Sequence, residues 1–577
     1  MKNKTLIIIG AGMSVNLGMP TTQDINRAID LLLDVDNKKA PTTIDMRLTK
    51  IADEIHRLKF TKEARKDFIT TLSILLDGDG AKDIKTSYDT KRKALDDYKK
   101  LFKRHISGVK IPSLEHHLEY LHQTYDLLSL KSIIYSLKQT AGSDSEVDIV
   151  DILTTIQHAI AGNVSIPTKE IFPDEAKATK NIYYCDRKRL VGALNIYKLL
   201  VYKLFKHSLR NIKTSDIGKY EKFYHEIAEQ FSGVGKLINP KTAVQRQEYL
   251  SSIAYITYNW DPIAPFLTMK VNQKINRSLS SSSKKGVCRK IYIDFGVPFA
   301  GIKLSGDHVG MAVYSFSEDA AFHINEFTRN SYAAGSKGDK KSKLLVKLMK
   351  LFVPHGLFNV RVCPRCQNGF LIIPENIGKI DFKQIANLFT PDPIPSQDDL
   401  KFISGGTYNH VLSNYKKGLP DELTCPSCEH PVYFDNSFME IQSILKQDKP
   451  ASINKIHFDY GDFFSQADHI ISIGYSFPKD DIVNSVFLKT MKIRMDEKGT
   501  DCKLTYIGSP TTKYGTEPWY KLKDVRKLAV KLADDKTLQT IEMILKLFKE
   551  DNVRLSFKGF PGIADSVKMK DILNWEK

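Results

Sequence analysis

Long apolar runs are missing from this chain. Nowhere in its 577 residues do apolar side chains persist for the ~20 positions that a bilayer-spanning helix needs, which excludes a helical membrane protein. The apolar run Thr5–Ile9 follows Lys2 and Lys4. It is too short for the core of a secretion signal and leads straight into glycine, so the expectation is a cytoplasmic protein with no membrane association. Acidic charge is also short: 67 Asp and Glu against 85 Lys and Arg leave +18 at pH 7. Such a surplus attracts nucleic acid in principle. Yet no basic motif interleaved with aromatics and no known nucleic-acid module is present, and the lysines between Lys91 and Lys103 read as a solvated helix face. Cysteine is sparse, seven in all, and a disulfide framework does not fit a reducing compartment.

What those cysteines do form is two C-x-x-C pairs, Cys363-Pro364-Arg365-Cys366 and Cys425-Pro426-Ser427-Cys428. A redox dithiol accounts for one such pair but not for two. Four thiolates suit tetrahedral zinc and leave no open coordination position, so the expected role is structural.

The chain is organised around its N-terminus. Thr5-Leu6-Ile7-Ile8-Ile9 runs into Gly10-Ala11-Gly12-Met13-Ser14, which reads as a buried parallel strand ending in a tight turn. Ile25, Ala28, Ile29, Leu32 and Leu33 then recur at helical spacing, with Thr21 and Asp24 placed as a capping box. Strand, glycine turn and helix start together make a diphosphate cradle. The dehydrogenase fingerprint would need a third glycine where Val15 stands.

Beyond that helix, residues 40–110 and 126–250 read as helical, with loops at Gly78-Asp79-Gly80 and from Gly162 to Asp174, and hold no chemical motif. A second buried strand, Ile253–Thr257, ends on Tyr258-Asn259-Trp260-Asp261-Pro262. Polar side chains stand there where an open α/β sheet binds ligands, although an Asx turn explains the same pattern. Low-complexity loops follow at Ser278–Lys285 and Ala333–Lys343. Leu344–Leu351 is helix-like, and His355-Gly356 stands just before the first cysteine pair. Asp468–Ile473 is a further strand, ending on Gly474-Tyr475-Ser476-Phe477-Pro478 with Asp480 and Asp481 behind it. Lys503–Ile507 is another, and the last ~60 residues look helical and amphipathic.

In this order the elements resemble the sirtuin family: Gly10-Ala11-Gly12-x-Ser14 with Gly18-x-Pro20, then Asn259-x-Asp261, His355-Gly356, two cysteine knuckles, and Gly474-x-Ser476. The resemblance implies an α/β fold with a Rossmann-like parallel sheet, a large helical insertion and a small four-cysteine zinc module, binding NAD between sheet and module. The core would be built from residues 1–40, 251–360 and 451–515. The insertion would span 41–250, the zinc module 361–450 and a C-terminal helical segment 516–577. Protein-deacylating sirtuins carry Asp-Phe-Arg where Thr21-Thr22-Gln23 stands, and Gln where Tyr258 stands. Gly-x-Pro-Thr, Thr-x-Asn-aromatic-Asp and Gly-Tyr-Ser look more like the sirtuin-like NAD glycohydrolases of bacterial anti-phage defence. Those enzymes imply homo-oligomers, helicase-like ATPase or Argonaute-type partners, and a phage-derived trigger.

Cleavage of the nicotinamide–ribose bond passes through an oxocarbenium-like centre. The leaving ring departs neutral, so the site must mainly grip both ends of NAD. On this reading Gly10, Ala11, Gly12 and Ser14 hold the diphosphate, and by family analogy Gly474 and Ser476 hold the adenosine side. Asp261 accepts from the nicotinamide carboxamide. Asn259 positions a ribose hydroxyl or the attacking water, and His355 takes a proton. Cys363, Cys366, Cys425 and Cys428 bind zinc away from the chemistry. The alternatives are NAD-dependent deacylation or ADP-ribosyl transfer, and a non-catalytic NAD or nucleic-acid sensor subunit.

Overall fold

Buried apolar runs become the strands of one large sheet. Its members are Thr5–Ile9 (β1), Ile253–Thr257 (β2), Cys288–Asp294 (β3), Leu345–Phe352 (β4), His469–Ile473 (β5), Lys503–Ile507 (β6), Tyr520–Lys521 (β7) and Val553–Ser556 (β8). Their spatial order is β7-β8-β6-β5-β1-β2-β4-β3. All neighbours are parallel except β7 and β8. The structure is a computed structural model. It describes residues 4–33, 43–75, 88–141, 149–169, 182–233, 252–281, 288–296, 299–303, 345–373, 385–386, 392–402, 404, 413, 416–417, 422–425, 427–439, 451–477, 482–511, 513–514 and 516–575. The loop expected at Gly78-Asp79-Gly80, the segment Ala333–Lys343 and residues Pro478, Asp480 and Asp481 lie outside the described residues, as does the end of Ser278–Lys285.

β1 sits at the centre. Leu6, Ile7, Ile8 and Ile9 are at most 1% exposed, because helices cover both faces of a parallel sheet. β1 pairs with β2 on one side and with β5 on the other, so that Ile9 lies beside both Thr257 and Ile473. The chain adds β2, β3 and β4 on one flank and returns to the opposite flank at β5. The carboxyl ends of β1, β2 and β5 therefore meet at a topological switch point, where open α/β sheets form their crevice.

Behind β1, the helix Thr22–Leu33 starts with the expected capping box. The Thr21 amide donates to Asp24 Oδ2 (2.8 Å) and the Asp24 amide to Thr21 Oγ1 (3.1 Å). The insertion is helical over most of its described length. Its axis is the 24-residue helix Arg187–Arg210, buried along nearly its whole course, Lys203, Lys206 and His207 included. Those cations meet acids from two directions. Lys203 Nζ reaches Asp67 on the helix Lys62–Leu75 (3.0 Å) and Asp392 (2.9 Å). Lys206 reaches Asp392 (3.2 Å) and Asp399 (2.5 Å), Arg210 reaches Asp399 (2.9 Å), and His207 Nε2 pairs with Asp67 (2.8 Å). Three cations balance three carboxylates, with burial holding His207 below its usual range, so this network carries no net charge. The network fastens the insertion to the segment 392–402 beside the cysteine module.

Several expectations are corrected. Leu345–Phe352 is a strand paired on both sides rather than a helix; its lysines find polar partners inside the fold, Lys350 on Asp294 (2.5 Å) and Lys347 on the Phe231 carbonyl. The span expected as a loop from Gly162 contains the strand Ile166–Lys169, hairpinned with Ile182–Cys185. The C-terminal segment contributes β7 and β8 as well as helices. A smaller sheet, Ser437–Met439, Gly356–Val362, Gly369–Ile373 and Phe299–Lys303 in that order, carries Cys363 and Cys366, while Cys425 and Cys428 lie in the turn of a separate hairpin, Leu423–Thr424 with Pro431–Val432. Among the described residues no helix is long and apolar enough to cross a membrane.

Candidate functional site

The switch point is closed by glycine. The Gly10 amide donates to the Ile473 carbonyl (2.9 Å), and the Gly12 amide to that of Gly474 (3.0 Å). A Cβ on Gly12 would lie 2.8 Å from Gly474 Cα, and one on Gly474 would lie 2.3 Å from the Met13 nitrogen. Gly474 also has φ +65°, a left-handed conformation that side chains resist. The glycines thus let the turn after β1 interlock with the turn after β5. Two amides expected to face a diphosphate, those of Gly10 and Gly12, donate to the carbonyls of Ile473 and Gly474 instead, and the helix after Gly10 is only Ala11–Val15.

Around this seam the structure gathers most of the polar residues singled out from the sequence. Ser14, Asn259 and Asp261 are 4%, 6% and 2% exposed. Asn259 Nδ2 donates to Ser14 Oγ (3.0 Å) and to the Gly10 carbonyl (3.2 Å). Since a carbonyl only accepts, the amide orientation is fixed, and Asn259 Oδ1 is left buried with no hydrogen-bond partner among the described residues. Asp261 Oδ1 accepts from the Ile263 amide (3.0 Å), capping the helix Ile263–Ser281 as an Asx turn would. Burial pushes the Asp261 carboxyl up to about 6, against the opposing pull of hydrogen bonds from Ile263, Ser14 and Asn259.

His355 arrives from the turn between β4 and the smaller sheet, where Gly356 takes φ +76°. Its Nδ1 lies 3.3 Å from the Tyr258 carbonyl. The carbonyl requires Nδ1 to carry the proton, so Nε2 is the ring nitrogen able to accept one. The structure therefore joins Ser14, Asn259, Asp261 and His355 within one stretch of strand ends. Ser476 stands apart: its side chain is exposed, and its carbonyl accepts from Thr540 (3.4 Å).

Residues given no role from the sequence complete the surroundings. Tyr258 stacks on Tyr475 with ring centroids 4.5 Å apart and lies 5.2 Å from the His355 ring. Its hydroxyl donates to Asn484 Oδ1, which also accepts from Tyr460 (2.6 Å), while Asn484 Nδ2 donates to the Tyr475 hydroxyl (2.8 Å). From the insertion, Tyr220 donates to the Met13 carbonyl (2.6 Å), packing the helix Ile217–Gly233 on the glycine turn. Tyr258 and Tyr475 stood inside visible motifs, whereas Asn484 and Tyr220 had no signal around them.

The cysteine pairs form a separate centre. Cys363 Sγ lies 3.5 Å from Cys428 Sγ, and Cys366 Sγ lies 3.6 Å from Cys425 Sγ. All four sulfurs fall within 4.8 Å of one another. Zinc bonded at ~2.3 Å to four sulfurs separates them by about 3.8 Å, so the set fits a tetrahedral ion. The two knuckles are built alike: Gln367 and Glu429 donate to the Cys363 and Cys425 carbonyls (both 2.9 Å), with φ 60° and 59°. The chain matches no protein-family model and no curated protein.

Proposed function

We propose that this chain is a sirtuin-like NAD glycohydrolase, releasing nicotinamide and ADP-ribose with water as acceptor. The observation that carries the reading is the meeting of Ser14, Asn259, Asp261 and His355 at the switch point, from segments separated by hundreds of residues. A dinucleotide laid across that crevice would present its nicotinamide ribose to Asn259. With both Nδ2 hydrogens committed inside the protein, Asn259 takes part as an acceptor, its Oδ1 holding the ribose hydroxyl or the water. His355 Nε2 then receives the proton. Asp261, uncharged in part near neutrality, meets the carboxamide. No metal enters the chemistry; the four cysteines hold structural zinc, which supplies folding energy to the module.

Thr21-Thr22-Gln23 in place of Asp-Phe-Arg favours hydrolysis over deacylation. The wider reading is a cytoplasmic, oligomeric NAD-depleting effector of anti-phage defence. It would be released by a phage-derived trigger and work with a helicase-like ATPase or Argonaute-type partner where one is required. Incubation of the full chain with NAD, followed by chromatography, tests the chemistry. Nicotinamide and ADP-ribose appear without acylated peptide, and His355→Ala or Asn259→Ala lowers the rate by about 10²-fold or more. A requirement for acetylated peptide would instead establish deacylation.

A further inference from the structure

Asn484 lies in the first turn of the helix Ile482–Lys498 and is 3% exposed. It ties together the groups around the residues expected to meet NAD. Its Oδ1 accepts from the hydroxyls of Tyr258 and Tyr460, and its Nδ2 donates to that of Tyr475. The three phenols come from the end of β2, from the helix Ala451–Ser465 and from the turn after β5. One amide therefore bridges both flanks of the switch point.

We propose that Asn484 is a positioning residue that sets the orientation of the His355 imidazole through Tyr258. The path is short. Asn484 fixes the Tyr258 hydroxyl, and the stack on Tyr475 fixes the plane of the Tyr258 ring. Tyr258 in turn presents its backbone carbonyl to His355 Nδ1 and its ring to the imidazole. That carbonyl selects the tautomer whose Nε2 can accept, and the Tyr258 ring beside the imidazole sets its tilt, so a displaced Tyr258 ring misdirects the base without removing it. Buried amides and phenols bonded to one another resist such rotation because each broken bond leaves a polar group unpaired in the interior.

This inference rests on the proposed NAD cleavage. The test compares the wild-type full chain with Asn484→Leu, Asn484→Asp, Tyr258→Phe and Tyr460→Phe, measuring kcat and KM for NAD, NAD binding by calorimetry, and thermal unfolding. Asn484→Leu should lower kcat at least about tenfold and Tyr258→Phe by a smaller factor, with KM within about twofold, because the substrate grip is untouched. Asn484→Asp keeps both acceptor bonds and should recover most of the rate. Tyr460→Phe removes an arm that does not lead to His355 and should stay near wild type. An active wild type whose Asn484→Leu and Tyr258→Phe forms keep kcat, or lose activity only through KM, overturns the inference and leaves the reading intact. Tyr258→Phe decides the matter even where Asn484→Leu fails to fold. A wild type that neither binds nor cleaves NAD overturns the reading itself.

Discussion

Asp261 should cost the protein stability, and Asp261→Asn should return it. The carboxyl is 2% exposed, and burial raises it from 3.8 to about 6. Below about pH 4 the acid is protonated whether the chain is folded or not, and no penalty exists. Between pH 4 and 6 the folded state binds the proton more tightly than the unfolded chain, so stability falls as pH rises, and above pH 6 the loss is complete. The difference in affinity corresponds to about 3 kcal/mol. Asparagine retains an oxygen to cap the Ile263 amide but carries no charge. Urea unfolding at pH 4 and at pH 7.5 measures the effect. At pH 7.5 the variant should gain up to about 3 kcal/mol, shrinking to nearly nothing at pH 4, while NAD cleavage falls. Such opposition between stability and activity marks a group kept for chemistry. A variant destabilised at pH 7.5, or equally displaced at both pH values, would show that Asp261 is held as an ionised structural cap.

Removal of metal should act on folding rather than on the reaction step. Cys363→Ser, or a strong chelator, should abolish a stoichiometry of one zinc per chain measured by atomic absorption and expose the module to proteolysis. Lys203→Met should cost about 3–5 kcal/mol in urea unfolding, since Asp67 and Asp392 would remain buried without their shared cation. Gly474→Ala should destabilise by at least ~2 kcal/mol, because an added methyl meets the Met13 nitrogen and the backbone is left-handed. A soluble Gly474→Ala protein with an unchanged melting point would contradict the interlocked turns.

Legibility in the sequence tracked how directly each residue's neighbours are written beside it. β1, β2, β5 and β6 are read from continuous apolar runs because both faces of the sheet are covered. The Thr21–Asp24 box and the paired knuckles are local in sequence, and they were found. Leu345–Phe352 misleads because Lys347 and Lys350 interrupt it at helical spacing. Only the tertiary neighbours Asp294 and Phe231 make those positions acceptable in a strand. β8 is short and carries Arg554, which donates to Thr505 (2.8 Å) and to the Ile572 carbonyl (2.8 Å); neither partner is visible from the strand itself. In the same way nothing beside Lys203 and Lys206 in the sequence announces their burial, which depends on Asp392 and Asp399 being brought to them. Within the site, Ser14, Asn259, Asp261 and His355 stood at strand ends and could be named. Asn484, which ties three tyrosines together, has no local signal because its partners come from distant segments.

The position of β1 between β2 and β5 sets a timetable for biosynthesis. Of these three neighbours Ile9 is made first, Thr257 much later and Ile473 later still. At ~5–20 residues per second, β1 waits roughly 20–90 seconds for its second neighbour. During that interval an oily ribbon has one or both edges open to foreign pairing. Nascent chains of this protein should therefore lean on chaperones, and any message truncated before the codon for Gly474 should yield aggregates rather than a partly working product.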